Sequence, residues 1–210
     1  GEVLPQNIGT MKWDGKIPFK HTEKLYIKRS DDFDEDRLAP QWQWNYQPRK
    51  DYFSLTERPG WLRLKAYRPL ETNNLLKAGN TLTQRTFRKQ NNDVTIKMDI
   101  SNMQDGQKNG LCHFSSQHSA IGIVKEEDAC YLEYRKNGNI TKGIQIHSEF
   151  VWFRTEWGMD GKSQYYYSLD GDNFLPFGEK YQLTWGNYRG DRIGIYCFND
   201  KKEDGFVDID

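Results

Sequence analysis

Along most of this chain, apolar and polar residues alternate with a period of two. Leu62, Leu64 and Ala66 fall on one side of the run from Trp61 to Ala66, and Val94, Ile96, Met98 and Ile100 alternate with Thr95, Lys97, Asp99 and Ser101. The period returns in Ile144 and Ile146, in Val151 and Phe153, and in Ile193 and Ile195. Successive side chains leave a strand on opposite faces, so the pattern predicts half-buried β-strands. Between the runs stand Asp105-Gly106, Asn137-Gly138, Asp160-Gly161 and Asp170-Gly171. Such pairs accept positive φ at low cost and are expected to turn hairpins. No long window places apolar residues at i, i+3, i+4 and i+7 between caps, so no helix is predicted. About a dozen short strands imply an all-β fold, two antiparallel sheets packed as a β-sandwich of jelly-roll type. The sequence carries no internal repeat, which argues against a propeller or solenoid. Residues 1–29 hold no sustained period and are expected to be a linker or N-terminal arm, with one short strand near Leu25 to Ile27. The sandwich is expected over 30–210.

A chain of 210 residues suits one good-sized core. Its 30 basic and 30 acidic residues balance, which removes any global attraction to nucleic acid or an anionic membrane. No apolar run reaches the ~18 residues a spanning helix needs. The chain opens at Gly1 without a charged-then-apolar leader, an opening expected of a processed or excised chain. Cys112, Cys130 and Cys197 are odd in number and widely spaced, so they fit neither a CxxC metal pair nor a disulfide framework and are expected to be buried free thiols. The 7 Trp, 12 Tyr and 11 Phe supply large flat faces that suit a core and a binding surface alike.

Little of this composition points to catalysis. There is no GxSxG elbow and no Ser, Cys and His cluster with triad spacing. His113 and His118, in "CHFSSQH", lack a third ligand and read as ordinary polar residues, while His21 and His147 are isolated. Hydrolysis of a glycoside needs two carboxyl groups facing each other, and the most tempting pair is Glu149 and Glu156, flanking "FVWFRTEW". Glu156 shares a strand face with Trp152 and Arg154, and an ion pair with Arg154 on a solvated face is the plainer account of it. Acidic residues also gather at both ends, as Asp31, Asp32, Asp34, Glu35 and Asp36 and as Asp208 and Asp210. If the first and last strands are neighbours, Asp31, Asp32, Asp208 and Asp210 offer hard oxygen ligands for a structural Ca²⁺. An acidic edge that discourages sheet pairing is the rival explanation.

The blocks "SDDFD" at 30–34, "LAPQWQWN" at 38–45, "FSLTERPGWLRL" at 53–64, "NTLTQRT" at 80–86, "YYSLDGDNF" at 166–174 and "GFVDID" at 205–210 occur in this order. Together they resemble the concanavalin A-like C-terminal domain of family 43 β-xylosidases, over about Ser30 to Asp210. The resemblance implies a parent glycoside hydrolase whose catalytic carboxylates sit on a five-bladed propeller, with this sandwich packed against it. The domain is therefore not expected to be an enzyme alone. It also implies that one loop lends an aromatic side chain to the edge of the substrate pocket. The matching stretch is "NYRGDRIGIYCF", which puts Tyr188 in that position. The implied partners are the propeller, in the same or another chain, and a xylan-type oligosaccharide; the implied location is periplasmic or extracellular. The alternative is an autonomous carbohydrate-binding module. In that reading Trp42, Trp44, Trp152 and Trp157 stack on sugar rings, while Gln43, Asn45, Arg58, Gln84 and Arg85 bind hydroxyls. "QWQWN" would place Trp42 and Trp44 on one strand face. Packing of these tryptophans in the core, with Arg58 and Arg85 bracing strand ends, competes with it.

Overall fold

The computed structural model describes residues 15–16, 30–86, 89–184, 186 and 190–210, and within them the alternating runs form strands. The expected strand near Leu25 to Ile27, nearly all of the expected arm, and Tyr188 lie outside the described residues. In chain order the strands are β1 (Gln43–Trp44), β2 (Phe53–Ser54), β3 (Leu62–Lys65), β4 (Thr81–Arg85) and β5 (Asn92–Asp99). Then follow β6 (Gln107–Phe114), β7 (His118–Glu126), β8 (Ala129–Lys136), β9 (Asn139–Ile146) and β10 (Phe150–Trp157). The last are β11 (Lys162–Ser168), β12 (Leu175–Pro176), β13 (Tyr181–Gln182), β14 (Arg192–Asn199) and β15 (Phe206–Ile209). The only helical pieces among the described residues are single 3₁₀ turns at Lys50–Tyr52 and Leu75–Lys77.

Two antiparallel sheets result. The smaller has seven strands in the order β1-β4-β14-β6-β7-β8-β9. The larger runs β12-β11-β10-β5-β15-β3-β2, with β13 as an eighth strand paired to β11. The chain crosses between sheets after β1, β3, β4, β5, β9, β13 and β14, so each sheet is assembled from distant segments. This is the all-β sandwich that the alternation predicts. In β10, Val151, Phe153, Thr155 and Trp157 are buried, whereas Phe150, Trp152 and Arg154 are half-buried and Glu156 is exposed. Leu62, Leu64, Met98, Val151, Phe153, Val207 and Ile209 of the larger sheet meet Leu111, Ile121, Ile123, Leu132 and Ile195 of the smaller one in the main core.

Three of the four expected turns close hairpins. Asn137 (φ 49°) and Gly138 (φ 91°) join β8 to β9 with both central residues in the left-handed region, the geometry that matches strand twist. Asp160-Gly161 and Asp170-Gly171 join β10 to β11 and β11 to β12. Asp105-Gly106 does not close a hairpin, because β5 and β6 belong to different sheets. It turns a crossover instead: Gly106 N–H donates to the Lys125 carbonyl at 2.9 Å, and a Cβ on Gly106 would stand 2.8 Å from Asn199 Oδ1.

One layer of the fold breaks the alternation. Every residue of β14 is buried. The outer face of the smaller sheet is covered around Cys112, Phe114, Ala120, Tyr196 and Phe198 by Leu75 and Ala78, carried on the long connection between β3 and β4. Leu75 is fully buried there, so Leu75→Ala should destabilise the protein by about 3 kcal/mol in urea unfolding. A change below about 0.5 kcal/mol, the size of an ordinary surface substitution, would show that this flap does not pack in solution. The cysteines are free, with Cys112 and Cys197 buried and Cys130 half-buried. Burial pushes the Cys197 thiol up to about 12, which keeps it an unreactive thiol.

Candidate functional site

The outer face of the larger sheet carries a group of aromatic and charged side chains able to bind. Register puts them there. Trp152 lies opposite Lys97 and Ser168, Arg154 opposite Thr95 and Tyr166, and Glu156 opposite Asp93 and Gln164. Residues that pair across a sheet share a face, so all of these project away from the core. Arg58 and Trp61, from the turn ahead of β3, extend the same surface.

Aromatic rings and cations alternate across it. The Arg58 guanidinium lies 4.0 Å over the Trp61 ring, and that of Arg154 lies 3.7 Å over Phe174. The Lys97 ammonium stands 5.2 Å from the Trp61 ring, 4.9 Å from Phe150 and 5.4 Å from Trp152. Each contact fits a cation–π interaction. Trp152 is further occupied by Gly171, whose Cα would carry a Cβ only 3.1 Å from the indole. The rings thus serve as a bed for cations and not as a bare platform for stacking.

Toward β3 the cations are neutralised. Arg58 Nη1 donates to Asp99 Oδ2 at 2.7 Å and Asp208 Oδ2 at 3.1 Å. Arg63 grips Asp208 through Nε at 2.7 Å and Nη2 at 2.8 Å, a bidentate fork, and its Nη1 reaches Glu57 at 3.1 Å. Burial alone would raise the Asp99 carboxyl, but hydrogen bonds from Ser101 and Arg58 bring it below its ordinary value. The fork from Asp208 raises Arg63 further above its already high value. Toward β11 the surface sinks into a depression of about 600 Å³ beside Arg154, lined by Asn92, Asp93, Glu156, Lys162, Gln164 and Tyr166 among others. Burial, then the neighbouring Glu156, raises the Tyr166 phenol, so it stays a hydroxyl donor.

The residues singled out in the sequence do not form one site. Arg58 and Trp152 belong to this face. Trp42 and Trp44 instead pack against the main core: Trp42 stacks on Phe33 at 5.8 Å and Trp44 meets Phe53 at 4.8 Å. Only Gln43 and Trp44 are in β1, so the expected two-tryptophan strand face does not exist. Gln84 and Arg85 are consecutive in β4 and therefore point to opposite faces of the smaller sheet. Trp157 is turned into the core beside Tyr181 and Leu183. Asn45 uses its amide on the Leu76 and Ala78 carbonyls, at 3.0 and 3.1 Å, where it holds the flap.

Nor do the expected acids converge. Glu149 and Glu156 lie seven positions apart along one extended segment, roughly 20 Å at the rise of a strand, whereas a glycosidase pair stands about 5–9.5 Å apart. Arg154 does not pair with Glu156 either; its Nε donates to Thr95 Oγ1 at 2.9 Å. The first and last strands, expected to be neighbours, are not: β1 edges the smaller sheet while β15 lies inside the larger. Asp31 accepts from Trp42 Nε1 at 2.7 Å, Asp208 is held by two arginines, and Asp210 exchanges backbone hydrogen bonds with Lys97. Among the described residues no group of three or more His, Cys, Asp or Glu side chains has metal-site geometry. His113 and His118 lie five positions apart, on opposite faces of the smaller sheet. His113 faces the core with Nε2 2.9 Å from Thr155 Oγ1, and burial pushes it down to about 3. Burial and then Arg135 bring His118 to about 4.

Lys97, Phe150 and Trp61 carry the face and were not singled out from sequence. The available signal was the outward set of β10, Phe150-x-Trp152-x-Arg154-x-Glu156, which identifies the strand; the neighbours come from register.

Comparison with known proteins places the whole sandwich. The family model of the β-xylosidase C-terminal concanavalin A-like domain matches residues 30–210. A β-xylosidase of Formosa agariphila is 34% identical over 203 residues, covering 87% of this chain and 34% of its own length. A putative β-xylosidase of Xylanibacter ruminicola is 31% identical over 165 residues, covering 78% of this chain and 30% of its own. Among solved structures, a bifunctional GH43-CE protein of Bacteroides eggerthii superposes with a TM-score of 0.77 at 29% identity, covering 85% of this chain and 24% of that one. The chain thus spans about a third of the length of the curated relatives it matches.

Proposed function

Because this chain belongs to the family of β-xylosidase C-terminal concanavalin A-like domains, we propose that it serves as a non-catalytic module of a xylan-degrading glycoside hydrolase. In this reading it packs against a catalytic propeller, in the same or a partner chain, and helps to shape the substrate pocket. The observation that carries the reading is the relation of lengths: the relatives named as β-xylosidases are about three times as long as the part that matches this chain. The separation of Glu149 and Glu156 is consistent with it, since the most tempting acid pair of the sequence does not face across a sugar. Tyr188, which precedes β14 in the sequence, is the residue proposed to reach the pocket edge.

The test is to join this chain to a catalytic domain of the family and measure hydrolysis of xylo-oligosaccharides. Tyr188→Ala should lower kcat/KM by about tenfold, which is ~1.4 kcal/mol of transition-state binding, while leaving the melting temperature of the sandwich unchanged. If the joined protein and the free catalytic domain hydrolyse equally well, and Tyr188→Ala changes nothing, the reading is overturned.

A further inference from the structure

We propose that Lys97 and Arg154 form a binding site for the carboxylate of an acidic sugar, a uronic acid substituent on a polysaccharide. The carbohydrate class rests on the proposed function; the charge of the ligand rests on the geometry of this face.

Three observations select an anion over a neutral sugar. First, the aromatic rings are already taken by cations, with Arg154 on Phe174 and Lys97 among Trp61, Phe150 and Trp152. A neutral pyranose stacking on these rings would have to compete with those cations, whereas an anion is attracted by them. Second, the charges are unevenly compensated. Asp99 and Asp208, the buried carboxylates of the face, are engaged by Arg58 and Arg63. Lys97 and Arg154 make no ion pair among the described residues. Asp210, the backbone partner of Lys97, and Glu156, two residues beyond Arg154, both leave their carboxylates outside ion-pair range. Third, Lys97 and Arg154 are diagonal neighbours on β5 and β10, about 7 Å apart at Cβ, so both cations rise from one patch of the face. The rings beneath hold both cations in position, so little side-chain freedom remains to be lost on binding.

The depression beside Arg154 supplies the rest of a sugar site. Gln164, Tyr166 and Asn92 offer donors and acceptors to hydroxyls, and Asp93 and Glu156 accept from hydroxyl donors. The carboxylate would lie at the Lys97–Arg154 rim while the ring of the uronic acid enters the depression. This site needs no catalytic domain.

Titration calorimetry of this chain alone tests the proposal, with a xylo-oligosaccharide bearing one uronic acid and the same oligosaccharide after reduction of its carboxyl group. The acidic form should bind, and carboxyl reduction should weaken it by at least about tenfold, as expected for loss of a charge-assisted contact. Arg154→Gln and Lys97→Met should each weaken the acidic form by a similar factor at an unchanged melting temperature. Equal affinity for the two sugars, no binding of the acidic one, or wild-type binding by both variants would overturn it. Any of these results leaves the docking assay with the catalytic domain untouched, so the two readings fail separately.

Discussion

Arg63→Met is expected to cost about 3–5 kcal/mol of folding stability and to lower the melting temperature by roughly 10 °C. Asp208 is 2% exposed and sits inside the larger sheet, where β15 is bordered by β3 and β5. Removing the Arg63 fork takes away hydrogen bonds of 2.7 and 2.8 Å and leaves a buried carboxylate with Arg58 alone. An uncompensated buried charge is far more costly than an absent pair. The double variant Arg63→Met/Asp208→Leu should therefore regain most of the loss, since a well-packed apolar pair can replace a buried ion pair at little or no cost. Urea unfolding of the two variants decides the matter. A single variant within about 0.5 kcal/mol of wild type would mean that water reaches Asp208 and solvates it. The network also fixes where β15 docks, because Asp208 contacts arginines from the turn before β3 and from β3 itself.

The architecture was legible wherever one face of a strand meets the core and the other meets solvent. β10 reads cleanly, with Val151 and Phe153 in and Trp152 and Arg154 out, and β5 reads likewise. β14 does not, because Leu75 and Ala78 cover its outer side and "RIGIYCFN" is buried on both faces. A flap contributed from more than a hundred residues upstream leaves no local periodicity. The turn pairs identified reversals correctly but not their partners, as Asp105-Gly106 shows, since positive φ serves a crossover as well as a hairpin. The binding face was the least legible part. Arg58, Lys97, Trp152 and Phe174 come from four separate segments; register pairs Lys97 with Trp152, and the connections ahead of β3 and β12 bring the other two. Tryptophans near one another in sequence proved a poor guide, because Trp42 and Trp44 are adjacent to hydrophobic neighbours that draw them to the core edge.

Stability should fall steeply as pH drops from 7 to 5, and two histidines set the sign. His113 is fully buried against Trp157 and Tyr165, and its Nδ1 has no hydrogen-bond partner among the described residues, so a proton there would find no acceptor. Burial holds His113 down to about 3 and His118 down to about 4 in the folded protein, whereas an unfolded histidine titrates near 6.5. Above 6.5 both states are neutral and the contribution to stability is complete. Below 6.5 the unfolded chain takes up protons that the folded one refuses, so stability is lost as pH falls toward 4 for His118 and toward 3 for His113. At 1.36 kcal/mol per pH unit, each histidine should remove about 2 kcal/mol between pH 7 and pH 5. The carboxylates add a loss of the same sign only lower down, because Asp99 and Glu57 are held below their ordinary values by hydrogen-bonding partners. Urea unfolding at pH 7, 6 and 5 should give a combined loss of about 4 kcal/mol, and His113→Gln should halve the slope even though it lowers stability at pH 7. A flat profile between pH 7 and 5, or an imidazole resonance of His113 that titrates near 6.5 in the folded protein, would show that water enters this core and solvates the ring.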